Sequence, residues 1–155
     1  MLTLTLVIGS LLTLSQSPSG AAAPTPACTV LSAQEISSLI GPTKTLPVMG
    51  GSRGSTCMFQ NGDKMVTVMV VNLDSIDSAK GQWQAKKAAT AGQDVAGWNV
   101  PAYASVFEKP NQHSATVGFV KAKSFVEASV IDLTQGGSAM STKLQAVMKT
   151  LAGRM

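Results

Sequence analysis

The chain has 155 residues and a formal net charge of +4, with 45% hydrophobic and 13% charged residues. That apolar content with so little net charge excludes a disordered chain. A single apolar run, confined to the N-terminus, excludes a polytopic membrane protein. What remains is one small domain, whose mild and dispersed positive charge argues for solubility and not for nucleic-acid binding.

Residues 2–14 are almost unbroken apolar or small, and no Lys or Arg precedes Lys44. Ser19-Gly20-Ala21-Ala22-Ala23 follows, then Pro24-Thr25-Pro26. An apolar core of about 13 residues with a small-residue exit reads as a secretory signal peptide, too short to span a bilayer core of ~30 Å. Residues 1–22 are therefore expected to be the signal peptide, 23–27 a short Pro/Thr linker, and 28–155 a single domain. Membrane contact is expected only through the signal segment before cleavage, which makes the protein secreted or envelope-associated.

Export makes the two cysteines, Cys28 and Cys57, a pair with one available partner each, and oxidising compartments favour the disulfide. Cys28 follows Thr25-Pro26-Ala27 and lacks the Leu-small-small lead of a lipid-anchor cysteine.

Ser32 with Glu35 three residues later has the spacing of a capping box, flanked by Leu31 and Ile36 at the staple positions. Gly41-Pro42 stops that helix. The Pro/Gly/Ser-rich stretch 43–55 reads as a loop. Strands over 56–60 and 65–73 flank Asn61-Gly62, a strong tight-turn signal. A turn centred on Gly62-Asp63 sets Gln60 against Met65, Met58 against Thr67 and Thr56 against Met69. Cys57, Phe59, Val66, Val68 and Val70 then share the other side, which faces the core because Cys57 must reach Cys28.

Asp74 or Ser75 caps a second helix to about residue 90, with a narrow apolar face of Ile76, Ala79 and Trp83. Strands are expected over 104–108, 115–121 and 124–132, with Pro110-Asn111 turning between the first two. The last helix, about 138–153, places Met140, Leu144, Val147, Met148 and Leu151 on one face. The fold class is therefore α+β: an antiparallel sheet of about four or five strands with helices packed on one face. Two strand-strand-helix halves hint at an internal pseudo-repeat.

The segments 27–36, Ala-Cys-Thr-Val-Leu-Ser-Ala-Gln-Glu-Ile, and 55–59, Ser-Thr-Cys-Met-Phe, resemble a group of small secreted or lipoprotein domains of unknown function from bacterial, notably actinobacterial, envelopes. Val95-Ala96-Gly97 leading to Ala102-Tyr103, and the strand-rich 118–131 before an amphipathic helix, are similar to it too. Many domains of that kind carry a Gly-Asp pair after the position of Gly97, where this chain has Asn99-Val100. The resemblance implies a disulfide between the cysteines and a sheet with helices on one face, and it brings no catalytic residues.

No nucleophile-base-orienter set, phosphate loop or metal-ligand spacing occurs in the chain. His113, in the polar run 110–114, reads as a solvated hairpin tip. With both cysteines oxidised no thiolate remains, and the acids Asp74, Asp77, Asp94, Asp132, Glu108 and Glu127 are scattered. No catalytic residue, metal or cofactor is therefore assigned. The alternative is a small extracellular hydrolase or transferase built on a carboxylate pair assembled in space.

The feature that points to function is the outer side of the hairpin, where Met58, Met65 and Met69 flank Thr67. Thioethers make a soft, adaptable apolar surface. Met65 and Met69 lie about 13 Å apart along one strand, too far to share a copper(I) ion. The expectation is a non-enzymatic binding module whose Met58, Met65, Thr67 and Met69 face contacts a protein or apolar ligand, a second copy of the chain being one candidate.

Overall fold

Ser32 caps its helix as its neighbours dictate. In the computed structural model, which describes residues 27–51 and 53–155, its hydroxyl accepts from the Glu35 amide while the Glu35 carboxylate accepts from the Ser32 amide. Leu31 and Ile36, the staple pair, are both buried. Gly41, with φ of 84°, ends the helix, and Asn61 Nδ2 donates to the freed Ile40 carbonyl at 2.6 Å. That helix is α2 (Ala33–Ile40), preceded by the single turn α1 (Ala27–Val30). The signal-peptide expectation lies outside the described residues, and Ala27, expected in the linker, begins α1.

The remaining elements are β1 (Lys44–Gly51), β2 (Gly54–Asn61), β3 (Lys64–Asn72), α3 (Ile76–Ala89), β4 (Gln93–Asp94), β5 (Ala102–Lys109), β6 (Gln112–Lys121), β7 (Ser124–Asp132) and α4 (Gly137–Arg154). The protein is α+β, with a seven-stranded antiparallel sheet in the order β1-β2-β3-β7-β6-β5-β4. The sheet is larger than the four or five strands expected. Residues 43–55, expected to be a loop, supply β1 and the start of β2. Their Gly/Pro/Ser composition suits an edge, and the β1–β2 register shifts between Leu46 and Met49. The other edge, β4, is two residues long.

The β2–β3 register is the expected one: Gln60 opposes Met65, Met58 opposes Thr67 and Thr56 opposes Met69. Cys57, Phe59, Val66, Val68 and Val70 are correspondingly buried. They join Val117, Phe119, Val126 and Val130 in a core covered by α1, α2 and α4. Leu144, Met148 and Leu151 of α4 are essentially inaccessible, and each such side chain contributes about 1.5–3 kcal/mol of hydrophobic burial. The Cys28–Cys57 disulfide, with Cα atoms 5.0 Å apart, fastens α1 to β2, and the Ala27 amide donates to Ser55 Oγ beside it.

The expectation of helices on one face is corrected by α3. Tyr103, Val120 and Phe125 alternate out of phase with the main core and form a second cluster with Ala79 of α3, flanked by Trp83, Met69 and Val71. The consecutive apolar pairs Phe119-Val120 and Phe125-Val126 require cover on both sides of the sheet at that end. Ile76, expected on the buried stripe of α3, is 46% exposed. The strand connectivity repeats, β1-β2-β3-α3 followed by β5-β6-β7-α4 after the short β4. Placing α3 and α4 on opposite faces breaks any symmetry between the halves.

Candidate interaction surface

Because β-strand side chains alternate faces, the registers determine what stands around the methionines on the α3 side of the sheet. At one end, Met65 opposes Ile131, Ile131 opposes Ser114, and Ser114 opposes Phe107. The next row runs Met58, Thr67, Ser129, Thr116, Ser105. The third runs Met69, Glu127, Gly118, Tyr103, and here α3 covers the sheet.

Over β2, β3, β7, β6 and β5 the described residues of the first two rows carry no charged side chain, Gln60 being the β2 member opposite Met65. Lys44 of β1 closes the first row opposite Gln60. Thr116 Oγ1 and Ser129 Oγ share a hydrogen bond of 2.8 Å, so part of the hydroxyl row is satisfied internally. Met58, Met65, Thr67 and Ile131 are partly exposed, and Phe107 is 43% exposed with Lys109 Nζ 5.1 Å over its ring. Charge reappears at the boundary with α3, where Glu127 accepts from the Tyr103 hydroxyl and lies 3.7 Å from Lys86 Nζ. Burial, with the Glu127 carboxylate beside it, pushes the Tyr103 phenol well above its usual range.

Of the four residues singled out from sequence, the structure brings Met58, Met65 and Thr67 together on uncovered sheet. It places Met69 against the cluster under α3, so Met69 borders the surface and its thioether is partly used in packing. Leu46 of β1, which opposes Met58, and Ile131 of β7, which opposes Met65, are the apolar neighbours sequence reading missed. Phe107 is reached only through two further pairings. A depression of about 320 Å³ lined by Thr56, Met69 and Val71 adjoins the patch.

The carboxylates have a different arrangement. On the helix-covered face, at the end of the sheet beside the start of α4, Glu108 opposes His113, His113 opposes Asp132, and Asp132 opposes Lys64. His113 lies beside the hairpin turn as expected, but it is not a purely solvated tip residue: it stands between two carboxyl-bearing strand neighbours. Its Nδ1 is buried and has no hydrogen-bond partner among the described residues. The Pro110-Asn111 turn alone implies the Glu108 pairing, whereas Asp132 comes from the β6–β7 contact.

Asp132 is 1% exposed and accepts from the Thr134 amide and hydroxyl and from the Gln135 amide, with Lys64 Nζ at 3.1 Å. Burial pushes its carboxyl up, but the hydrogen bonds from Thr134 and Lys64 outweigh that and hold it at about 2. A carboxylate so held is an ionised anchor of the turn that follows β7 and does not suit the proton-donating member of a carboxylate pair. Among the described residues, no group of three His, Cys, Asp or Glu is placed to hold a metal. No described helix is long and apolar enough to cross a membrane.

No family model and no curated protein matches the chain. Among solved structures it is similar to the extracellular domain of PknH from Mycobacterium tuberculosis. The identity is 12%, over 83% of this chain and 95% of that one, with a TM-score of 0.46.

Proposed function

We propose that the protein is an exported, non-enzymatic binding module that docks a partner protein on the uncovered half of its sheet, centred on Met58, Met65 and Thr67. The observation that carries this reading is the charge-free lattice of two residue rows across the five strands β2, β3, β7, β6 and β5, in a chain with 20 charged side chains from Lys, Arg, Asp and Glu. Interface cores are depleted in charge and enriched in Met and aromatic residues, which matches Met58, Met65 and Phe107.

The breadth of the face favours a protein over a small molecule, because small ligands seek enclosed pockets. Both sheet edges are blunted, by the β1–β2 register shift and by the brevity of β4, so strand addition is disfavoured and the face is left as the contact. Export rests on the N-terminal apolar run and is supported by the Cys28–Cys57 disulfide, a bond that persists in oxidising compartments.

The test is a native mass spectrum of the protein recovered from the medium and envelope of its own host, alongside the double variant Met58→Lys with Met65→Lys. A stoichiometric partner that is lost in the variant, at unchanged thermal stability, supports the reading. A bare monomer from both fractions, or a partner retained by the variant, overturns it. A homodimer abolished by the variant would replace the partner protein with a second copy of this chain.

A further inference from the structure

A second candidate site lies on the helix-covered face, at the end of the sheet away from His113. There a cavity of about 340 Å³ opens between the segment after β4 and the last turns of α4, lined by Trp98, Asn99 and Val100 on one side and by Lys121, Lys149 and Gly153 on the other. That volume falls in the range of small-ligand sites, roughly 300–1,000 Å³.

Its apolar wall is held in place. The partly exposed Trp98 indole leans on Phe119 with ring centroids 6.1 Å apart and planes at 51°, and Trp98 and Val100 pack against the main core. Gly97, with φ of 76°, makes the left-handed turn that presents Trp98, and space beside it is open. At the rim, Lys121 Nζ donates to the Ala152 carbonyl at 2.6 Å, which fixes one ammonium and leaves it further donors. Lys149, exposed on α4, belongs to none of the ion pairs found among the described residues. Among the described residues, no carboxylate side chain lines the cavity.

Two ammonium groups without a counter-ion among the described residues, at the mouth of an aromatic-walled cavity, select an anion carried on a ring. We propose that this cavity binds a glycosyl phosphate. The apolar face of the sugar lies against Trp98, the Asn99 amide serves the ring hydroxyls, and Lys149 and Lys121 take the phosphate as point charges. The size admits one sugar ring with its phosphate. No residue of this cavity belongs to the sheet surface around Met58 and Met65, so the two proposals stand or fall separately.

The test is a titration of the isotope-labelled, oxidised protein with glucose 1-phosphate, followed through the two indole N–H resonances, those of Trp83 and Trp98. Glucose alone and inorganic phosphate alone are the companion titrations. The expected result is a saturable shift of Trp98 with Trp83 unmoved. Affinity should be at least about tenfold above either half-ligand and about tenfold weaker in Lys149→Glu, the remaining resonances of that variant staying in place. A silent Trp98 overturns the proposal, as does inorganic phosphate binding equally well or a Lys149→Glu variant that binds like the original.

Discussion

Arg154, in the last turn of α4, grips Glu35, in the first turn of α2, across 119 residues of chain. Its Nη2 donates to Glu35 Oε2 at 2.8 Å and also to the Val30 carbonyl at the end of α1, while Nη1 reaches Glu35 Oε1. One guanidinium thus joins the C-terminal helix to both N-terminal helices, and its partner is the same carboxylate that closes the Ser32 capping box. A bidentate pair that is also hydrogen-bonded to backbone holds its geometry better than an ordinary surface pair.

Stability should therefore fall in acid through Glu35. The hydrogen bond from Arg154, with those from Ser32, holds its carboxyl at about 2 against an ordinary value of 4.5. A folded-state value below the unfolded one stabilises the fold above pH 4.5, and the contribution disappears as pH falls towards 2. Glu35→Gln keeps a capping-box residue and removes the charge. It should cost about 1–2 kcal/mol at neutral pH, allowing for solvent screening of the partly exposed Arg154, and almost nothing near pH 2. Urea unfolding at both pH values measures the gap. An equal gap at the two would mean that the charge is not what the pair contributes.

Much of this architecture is written locally. Ser32, Glu35 and Gly41 delimit α2, Asn61-Gly62 sets the β2–β3 register, and β7 occupies the 124–132 window that its apolar run predicts. The features that were not legible depend on distant neighbours. β1 has the composition of a loop and is a strand because β2 offers it a ladder. The side on which α3 crosses depends on Tyr103, Val120 and Phe125 needing cover, which no property of residues 76–89 reveals. The same holds at the candidate surface. Alternation in one hairpin is enough to find Met58, Met65 and Thr67, but Leu46, Ile131 and Phe107 join them only through pairings with β1, β7 and β5.

The disulfide closes a loop of 29 residues, and in the chain-entropy model that is worth about 3–4 kcal/mol. Replacing Cys28 and Cys57 together with Ser should lower stability by about that amount, and reduction of the original protein should do the same. The measurement is denaturant unfolding with and without reductant. A loss well under 1 kcal/mol would show that packing and hydrogen bonds such as Ala27–Ser55 hold α1 to β2 without the disulfide.

Adjacent residues of β3 should respond in opposite ways to the same substitution. Val66 is fully buried beneath the helices, while Met65 lies on uncovered sheet. Val66→Lys puts an unpaired charge in the core and should abolish folding, whereas Met65→Lys should change stability by less than about 1 kcal/mol. Thermal melts of the two variants decide it. Unfolding by both would mean that the surface around Met65 is covered core and would remove the basis for a docking face.

Tyr103 is the only tyrosine in the chain, so its ionisation can be followed without interference. Its ring lies across Gly118 and Gly92, where an added Cβ would come within 2.5 Å of ring carbons, and its hydroxyl donates to Glu127. Burial first, then the Glu127 carboxylate, raises the phenol far above the ordinary value of 10. For an acid whose folded value is raised, the stabilising contribution is complete below the unfolded value and is lost as pH climbs above it. Phenolate absorbance should therefore stay absent above pH 10 while the fold persists, then appear in step with loss of circular dichroism. Gly118→Ala, which forces the ring aside at a cost of about 1–3 kcal/mol, should bring the two events together to lower pH. A phenolate that forms near pH 10 in folded protein would mean that Tyr103 reaches solvent and that α3 does not seal this end of the sheet.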